Sequence, residues 1–240
     1  MINSNSVIRI LVTAWFIVAY IYLSHTPIDH RSHDLWGHVE YTKIIVTKHW
    51  LPTPREGSHT FHPPLYYLIN SFIRPDKLIT DINGHVNSFR WLSVLYGAMT
   101  IYVIWMFLVD IKVNPLVQLI TLLFIATTPA FVFLFSTYNN DSIAMFLSIA
   151  AVATSYKLYL RWSLKLALVL TLIATLGIYS KYTSISCIAS LILLCLLLIL
   201  KNILKKESLN KSHVKVSAVL IISMILFIPW AMRNQHYNEM

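Results

Sequence analysis

The sequence predicts an all-α polytopic membrane protein of about seven transmembrane helices. Its 240 residues are 57% hydrophobic and 12% charged, with a mean hydropathy of +0.63, which is too apolar for an ordinary soluble domain. Apolar runs near the roughly 20 residues that cross hydrocarbon as a helix recur along the chain. They do not alternate as barrel strands would. One membrane domain is therefore expected over residues 1–240.

The apolar runs give the expected spans. The first follows Arg9, and no small-x-small cleavage pattern follows Ser24-His25-Thr26, so we expect an uncleaved anchor and not a signal peptide. Cys187 and Cys195 both lie in the sixth run, which excludes a disulfide framework or a cysteine-based metal site. The seven spans are expected at about 7–23, 89–109, 116–135, 143–160, 164–180, 184–200 and 214–232.

The net charge of +9 reflects topology. If the N-terminus is cytoplasmic, ten basic residues fall at the inner ends of the spans, whereas Lys181 and Arg233 stand nearly alone in the short outer segments. We therefore expect an integral protein of the plasma (inner) membrane and no nucleic-acid partner. The inner basic residues are Arg9, Lys112, Lys157, Arg161, Lys165, Lys201, Lys205, Lys206, Lys211 and Lys215.

A long polar loop, residues 25–87, separates the first two spans. It holds six of the ten acidic residues and eight of the ten histidines, so the chemistry is expected there. An amphipathic helix is predicted over 34–50, ended by the prolines that follow, and a shorter one over 64–73. Both are expected at the bilayer surface, the first through Leu35, Val39, Ile44, Ile45 and Trp50, the second through Tyr66, Tyr67 and Phe72.

Three further polar motifs fall on the same outer side in this topology. They are Asn139-Asn140-Asp141, Ser180-Lys181-Tyr182 and Arg233-Asn234. This sidedness predicts an active site assembled at the outer membrane surface.

These motifs, in this order, resemble those of the polyprenyl-phosphate-sugar-dependent glycosyltransferases of the GT-C superfamily, in the branch of protein mannosyltransferases and lipid A aminoarabinose transferases. The resemblance rests on an acidic residue with a His…Tyr helix, a Pro-Pro-Leu-Tyr-Tyr element, and four later pieces. In this sequence they are Asp34 to Tyr41, His62 to Tyr67, Arg90, Asn139-Asn140-Asp141, Lys181-Tyr182, and Pro229-Trp230 with Arg233-Asn234. The chain ends just past its seventh span, whereas such enzymes have about a dozen, so a fragment, a minimal form and an inactive remnant are all open.

The resemblance implies transfer of a sugar from a polyprenyl-phosphate donor to a hydroxyl of a lipid, glycan or protein acceptor, with inversion. Such a reaction needs a carboxylate to take the acceptor proton and cations to hold the departing phosphate. Asp34 is the candidate base, with helix N-capping as its alternative role. His38 shares its helix face and is the candidate assistant, whereas Glu40 projects elsewhere and is expected to pair with Lys43.

Lys181, Arg90 and Arg233 are the candidate phosphate ligands, with snorkelling to the interface as the alternative for each. The side chains expected to contact the substrates are His62, Tyr66, Asn140, Asp141 and Tyr182. The alternative role of each is helix capping or support of the loop structure. No cofactor is expected. The histidines His25, His30, His33, His38, His59 and His62 show no tight metal-ligand spacing, so a divalent metal ion is only the alternative.

Two other functions stay open. A transporter of lipid-linked sugars would place charges and helix breaks near the bilayer midplane, whereas the charges here lie at span ends. A non-catalytic or truncated membrane protein is the second alternative.

Overall fold

The computed structural model describes residues 4–28, 34–73, 75–206, 208 and 211–239. Within these ranges the secondary structure consists of twelve helices and contains no strand. The predicted all-α polytopic membrane fold is therefore confirmed. The helices are α1 (Ser4–His25), α2 (Leu35–Lys48), α3 (Leu65–Phe72), α4 (Pro75–Thr80), α5 (Ile82–Asp110), α6 (Pro115–Thr127), α7 (Pro129–Leu134), α8 (Asp141–Leu160), α9 (Leu164–Ser180), α10 (Thr183–Leu204), α11 (Lys211–Ile225) and α12 (Ile228–Glu239).

In the described part of the chain, five segments are long and apolar enough to cross a membrane. They are α1, α5, α8, α10 and the α11–α12 pair, which continues from Lys211 to Tyr237. Helices α6 and α9 are apolar but shorter. The predicted spans thus all coincide with apolar helices, of unequal length.

The third predicted span, 116–135, is divided into α6 and α7. Pro129 has no backbone N–H and restricts the residue before it. Thr128 accordingly adopts an extended conformation, with φ −62° and ψ 128°. The proline thus ends one helix and begins the next.

The spans pack around two apolar cores, which are joined by contacts between α5 and α8. Helix α1 lies against α5, α6 and α7, while α8, α9, α10 and α11 form a second apolar core. Trp15 of α1 donates from Nε1 to the Val94 carbonyl at 2.8 Å. A Cβ at Gly97 would come within 2.5 Å of the Trp15 ring, so glycine is what allows α1 and α5 to approach this closely.

The loop helices α2 and α3 bury much of their apolar faces inside the protein. Leu35, Val39 and Ile45 are buried, and so are Tyr66 and Tyr67. These side chains share one core with residues of α5 and α8. An apolar helix face is stabilised by any apolar surroundings, so its pattern could not distinguish lipid from neighbouring helices. Trp50 and Phe72 do remain exposed.

Candidate active site

The first turn of α2 and the segment that follows this helix bring together one carboxylate and three imidazoles. Asp34 Oδ1 lies 3.5 Å from His59 Nε2. The His38 ring centroid is 4.9 Å from that of His59 and 6.3 Å from that of His62. Asp34 and His38 stand one helical turn apart on α2, while His59 and His62 come from the segment between α2 and α3. We call these four residues the histidine cluster.

His38 is the buried centre of the histidine cluster, with 3% of its surface exposed. Its Nδ1 lies 2.8 Å from the Tyr67 hydroxyl oxygen. Burial lowers the pKa of His38 well below its usual value, and the nearby His59, His62 and Lys181 add to the effect. The ring is therefore neutral at neutral pH.

His62 connects the histidine cluster electrostatically to the ends of α8 and α9. Its pKa is lowered to about 4, first by burial and then by electrostatic interaction with His59 and Lys181. The carboxylates of Asp34 and Asp141 act on the same ring in the opposite direction. Asp34, Lys181 and Asp141 therefore all influence the charge state of one ring, although they are distant in sequence.

Lys181 forms an ion pair in the short turn between α9 and α10. Its Nζ lies 2.6 Å from Oδ1 of Asp141, the first residue of α8. Both side chains keep part of their surface exposed, 22% for Lys181 and 39% for Asp141. Asn140 donates from Nδ2 to the Ser180 carbonyl at 3.4 Å, which joins the same two helix ends.

Side chains of α12 form hydrogen bonds to the segment that carries His59 and His62. Asn234 donates to the Phe61 carbonyl at 2.9 Å and to the Tyr182 hydroxyl at 3.0 Å. The Tyr182 hydroxyl donates to the same carbonyl at 3.1 Å. Arg233 donates to the carbonyls of Leu51 and Pro52 at 3.3 and 2.8 Å. Arg233 and Tyr182 thus both contact the segment between α2 and α3, Arg233 near its start and Tyr182 next to His62.

Arg90 lies in a different environment from the other predicted phosphate ligands. It is 4% exposed. Its guanidinium donates to the Ser136 carbonyl at 3.0 Å and to the Thr26 carbonyl at 3.1 Å. It lines a separate cavity of about 350 Å³ beside the end of α1. The structure therefore does not bring Arg90 to the histidine cluster.

Two local expectations differ from the structure, and one agrees with it. Asp34 occupies the N-cap position of α2, but its side chain makes no capping hydrogen bond and faces His59. The Asn139-Asn140-Asp141 motif does cap α8, through Asn139, whose Oδ1 accepts from Ser142 N at 2.9 Å. Glu40 accepts from the Ser58 backbone N–H at 3.3 Å.

Three contributors were not predicted as site residues, namely His59, Tyr67 and Asn234. Tyr67 and Tyr66 are adjacent in the Pro-Pro-Leu-Tyr-Tyr motif, and their rings pack edge-on. Tyr67 is distinguished from Tyr66 only by its contact with Nδ1 of His38. Asn234 acts on a carbonyl 173 positions away. Such pairings leave no local sequence signal.

Asp34, His38 and His59 could also hold a metal ion. Each offers one ligand atom, and these atoms lie within 4.8 Å of one another. The pattern was hidden in the sequence because 21 positions separate His38 from His59. His30 and His33 lie outside the described residues.

Comparison with known proteins gives a family. The model of the dolichyl-phosphate-mannose-protein mannosyltransferase family matches residues 62–232, which is more than half of the chain. The match includes His62, Asp141, Lys181 and nearly all of the spans, and it begins after Asp34 and His38. No curated protein and no solved structure matched the chain. This family comprises membrane glycosyltransferases that use polyprenyl-phosphate sugar donors. On the extent of that match, the chain belongs to the dolichyl-phosphate-mannose-protein mannosyltransferase family.

Proposed function

We propose that the protein transfers a sugar from a polyprenyl-phosphate donor to an acceptor hydroxyl at the outer face of the plasma membrane, with its N-terminus in the cytoplasm. The observation that carries the proposal is geometric. Asp34 lies 3.5 Å from His59, and the hydroxyl of Tyr182, the residue after the cation Lys181, donates at 3.1 Å to the Phe61 carbonyl in the same segment as His59. A displacement at an anomeric carbon needs a proton acceptor on one side and a cation on the other.

Asp34 is the proposed base. Its side chain is 68% exposed, so an acceptor can reach it. The acceptor oxygen forms a bond to the anomeric carbon while the bond from that carbon to the phosphate oxygen breaks. The acceptor proton passes to the Asp34 carboxylate, and the bonding electrons leave with the phosphate.

Lys181 is the proposed phosphate ligand. An ammonium group has three N–H donors, and Asp141 accepts from one of them, so two are left for phosphate oxygens. Lys181 also stands where two apolar helices meet, which is where the phosphate of a membrane-anchored donor would lie. Asp141 and Asn140 are positioning residues in this proposal, because they act through Lys181 and its turn.

Arg233 is proposed as the second phosphate ligand, since it contacts the segment that carries His59 and His62. His38, His62, Tyr66 and Tyr182 are proposed to contact or to shape the sugar site. Arg90 would reach a donor only from its separate cavity, so the proposal does not depend on it. The acceptor is a hydroxyl on a lipid, a glycan or a protein.

The test uses the purified protein in detergent with radiolabelled polyprenyl-phosphate sugars. Asp34→Asn keeps the shape of the side chain but removes its basicity, so transfer is expected to fall at least 100-fold while donor binding is retained. Asp76→Asn, an exposed carboxylate of α4 in the same loop, is the matched control and should transfer like the wild type. Unchanged transfer by Asp34→Asn would refute the base, and no donor binding by the wild type would refute the function.

A further inference from the structure

The three metal-capable side chains of the histidine cluster converge from two segments. The Asp34–His59 separation of 3.5 Å is close to the spacing of about 3.3 Å that two ligands adopt around a tetrahedral ion with bonds of roughly 2.0–2.1 Å. The full set of ligand atoms lies within 4.8 Å. Asp34 is the exposed member, so its carboxylate is free to rotate toward an ion held by the two imidazoles.

Both imidazoles have a hydroxyl group at the ring nitrogen that an ion would not use. Nδ1 of His38 lies 2.8 Å from the Tyr67 hydroxyl, and Nδ1 of His59 lies 2.9 Å from the Ser58 hydroxyl. Histidines that bind metals almost always donate their second ring N–H to an oxygen, which fixes the tautomer and the orientation of the ring. Here each hydroxyl can accept such a bond, which leaves Nε2 of each ring for a ligand.

The backbone of α2 provides space for this arrangement at Gly37. A Cβ at Gly37 would lie 1.8 Å from Nδ1 of His59 and 2.4 Å from its Cε1. No side chain larger than hydrogen is compatible with the observed position of the imidazole. The His59 ring is thus seated directly on the first turn of α2, between Asp34 and His38.

We propose that Asp34, His38 and His59 bind a divalent transition-metal ion of the Zn²⁺ class. Two imidazoles and one carboxylate favour zinc and similar ions, whereas Mg²⁺ and Ca²⁺ favour sites made entirely of oxygen ligands. Three protein ligands leave one position of a tetrahedral ion open, as in catalytic zinc sites. An ion here would bring an acceptor hydroxyl next to the free oxygen of Asp34, a role that rests on the proposed function, whereas the metal site itself does not.

The proposal is tested by titrating the purified, chelator-treated full chain with Zn²⁺ in isothermal calorimetry, with metal content measured after dialysis. The wild type should bind one ion per chain. Asp34→Asn and His59→Gln should each weaken binding at least tenfold. His49→Asn is the matched control, because it removes an exposed histidine of the same loop, at φ 54°, where asparagine is tolerated. It should bind like the wild type.

A spectroscopic measurement distinguishes a defined metal-coordination site from non-specific metal binding. Co²⁺ in the same site should give visible d–d absorption bands that Asp34→Asn and His59→Gln lose, and a hundredfold excess of Mg²⁺ should not displace them. Absence of Zn²⁺ uptake by the wild type, or wild-type affinity in both variants, would overturn the metal site. Zinc binding without donor binding would refute the proposed function alone, and donor transfer without zinc binding would refute the metal site alone.

Discussion

At the residue scale, Tyr67 is the hydroxyl that orients the central histidine. Its ring stacks on Tyr41 at a centroid distance of 3.8 Å, and its oxygen lies 2.8 Å from Nδ1 of His38. Burial raises the pKa of Tyr67, so the phenol keeps its proton at neutral pH. The two contacts hold His38 in one orientation.

Replacement of Tyr67 by phenylalanine should therefore lower kcat for sugar transfer by about tenfold, the lower end of the effect of losing an outer-shell partner. KM for the donor should change little, because the phosphate ligands are untouched. Steady-state kinetics with labelled donor measure both constants. Tyr20→Phe, on the exposed face of α1, is the control, and a Tyr67→Phe enzyme with wild-type kcat would refute the orienting role.

Single residues differ in how far the sequence could predict them. Asp34 could be proposed because it occupies the acidic position of the family-like motif, and Lys181 because a charge between two apolar helices is costly to hold without a partner. His59 and Asn234 could not, because their partners, Asp34 and Phe61, are brought to them only by tertiary folding.

At the element scale, the first turn of α2 supports the His59 ring through Gly37. Gly37→Ala should weaken Zn²⁺ binding at least tenfold, since the new methyl group must displace the ring. Alanine is favoured over glycine within a helix by roughly 0.5–1 kcal/mol, so α2 itself should not unfold. Gly177→Ala in α9 is the control, because its Cβ would meet neighbours only at 3.5 Å or more. Calorimetry that gave wild-type zinc affinity for Gly37→Ala would contradict this role.

Two ion pairs at helix ends allow a second comparison. Lys181 pairs with Asp141 beside the histidine cluster, and Lys157 of α8 pairs with Asp110 of α5 at 3.1 Å. Lys181→Met should weaken binding of the polyprenyl-phosphate donor at least tenfold, because a desolvated contact to phosphate is lost. Lys157→Met removes an equivalent charge and should leave donor affinity unchanged. Equal donor affinity for both variants in equilibrium binding would exclude Lys181 as the phosphate ligand.

The positions of the helices were largely predictable from the sequence, whereas the residues that they pack against were not. Apolar periodicity and proline positions predicted the ends of α2 and α3 to within about two residues. The proline of the Thr128-Pro129 break is visible in the sequence, although the apolar run around it predicts one continuous span. The inward packing of α2 could not be predicted, because the partners of its apolar face come from α5 and α8.

At the scale of the whole molecule, the proposed topology places the histidine cluster outside the cell and the lysine-rich end of α10 inside. Single cysteines at Asp76 and Lys205, both exposed, test it in a Cys187→Ser, Cys195→Ser background. A membrane-impermeant maleimide should label Asp76→Cys on intact cells and Lys205→Cys only after lysis. The reverse pattern would invert the topology.

The hydrogen bonds from Arg233 and Asn234 to the segment before α3 have a consequence for the order of assembly. The side chains that donate to the carbonyls of Leu51, Pro52 and Phe61 follow them by 182, 181 and 173 positions. Until those side chains arrive, the carbonyls of Leu51 and Pro52 lack these donors. The segment that carries the imidazoles of His59 and His62 thus gains its hydrogen bonds to α12 only when that helix docks, so the reactive centre depends on a helix made long after its own residues.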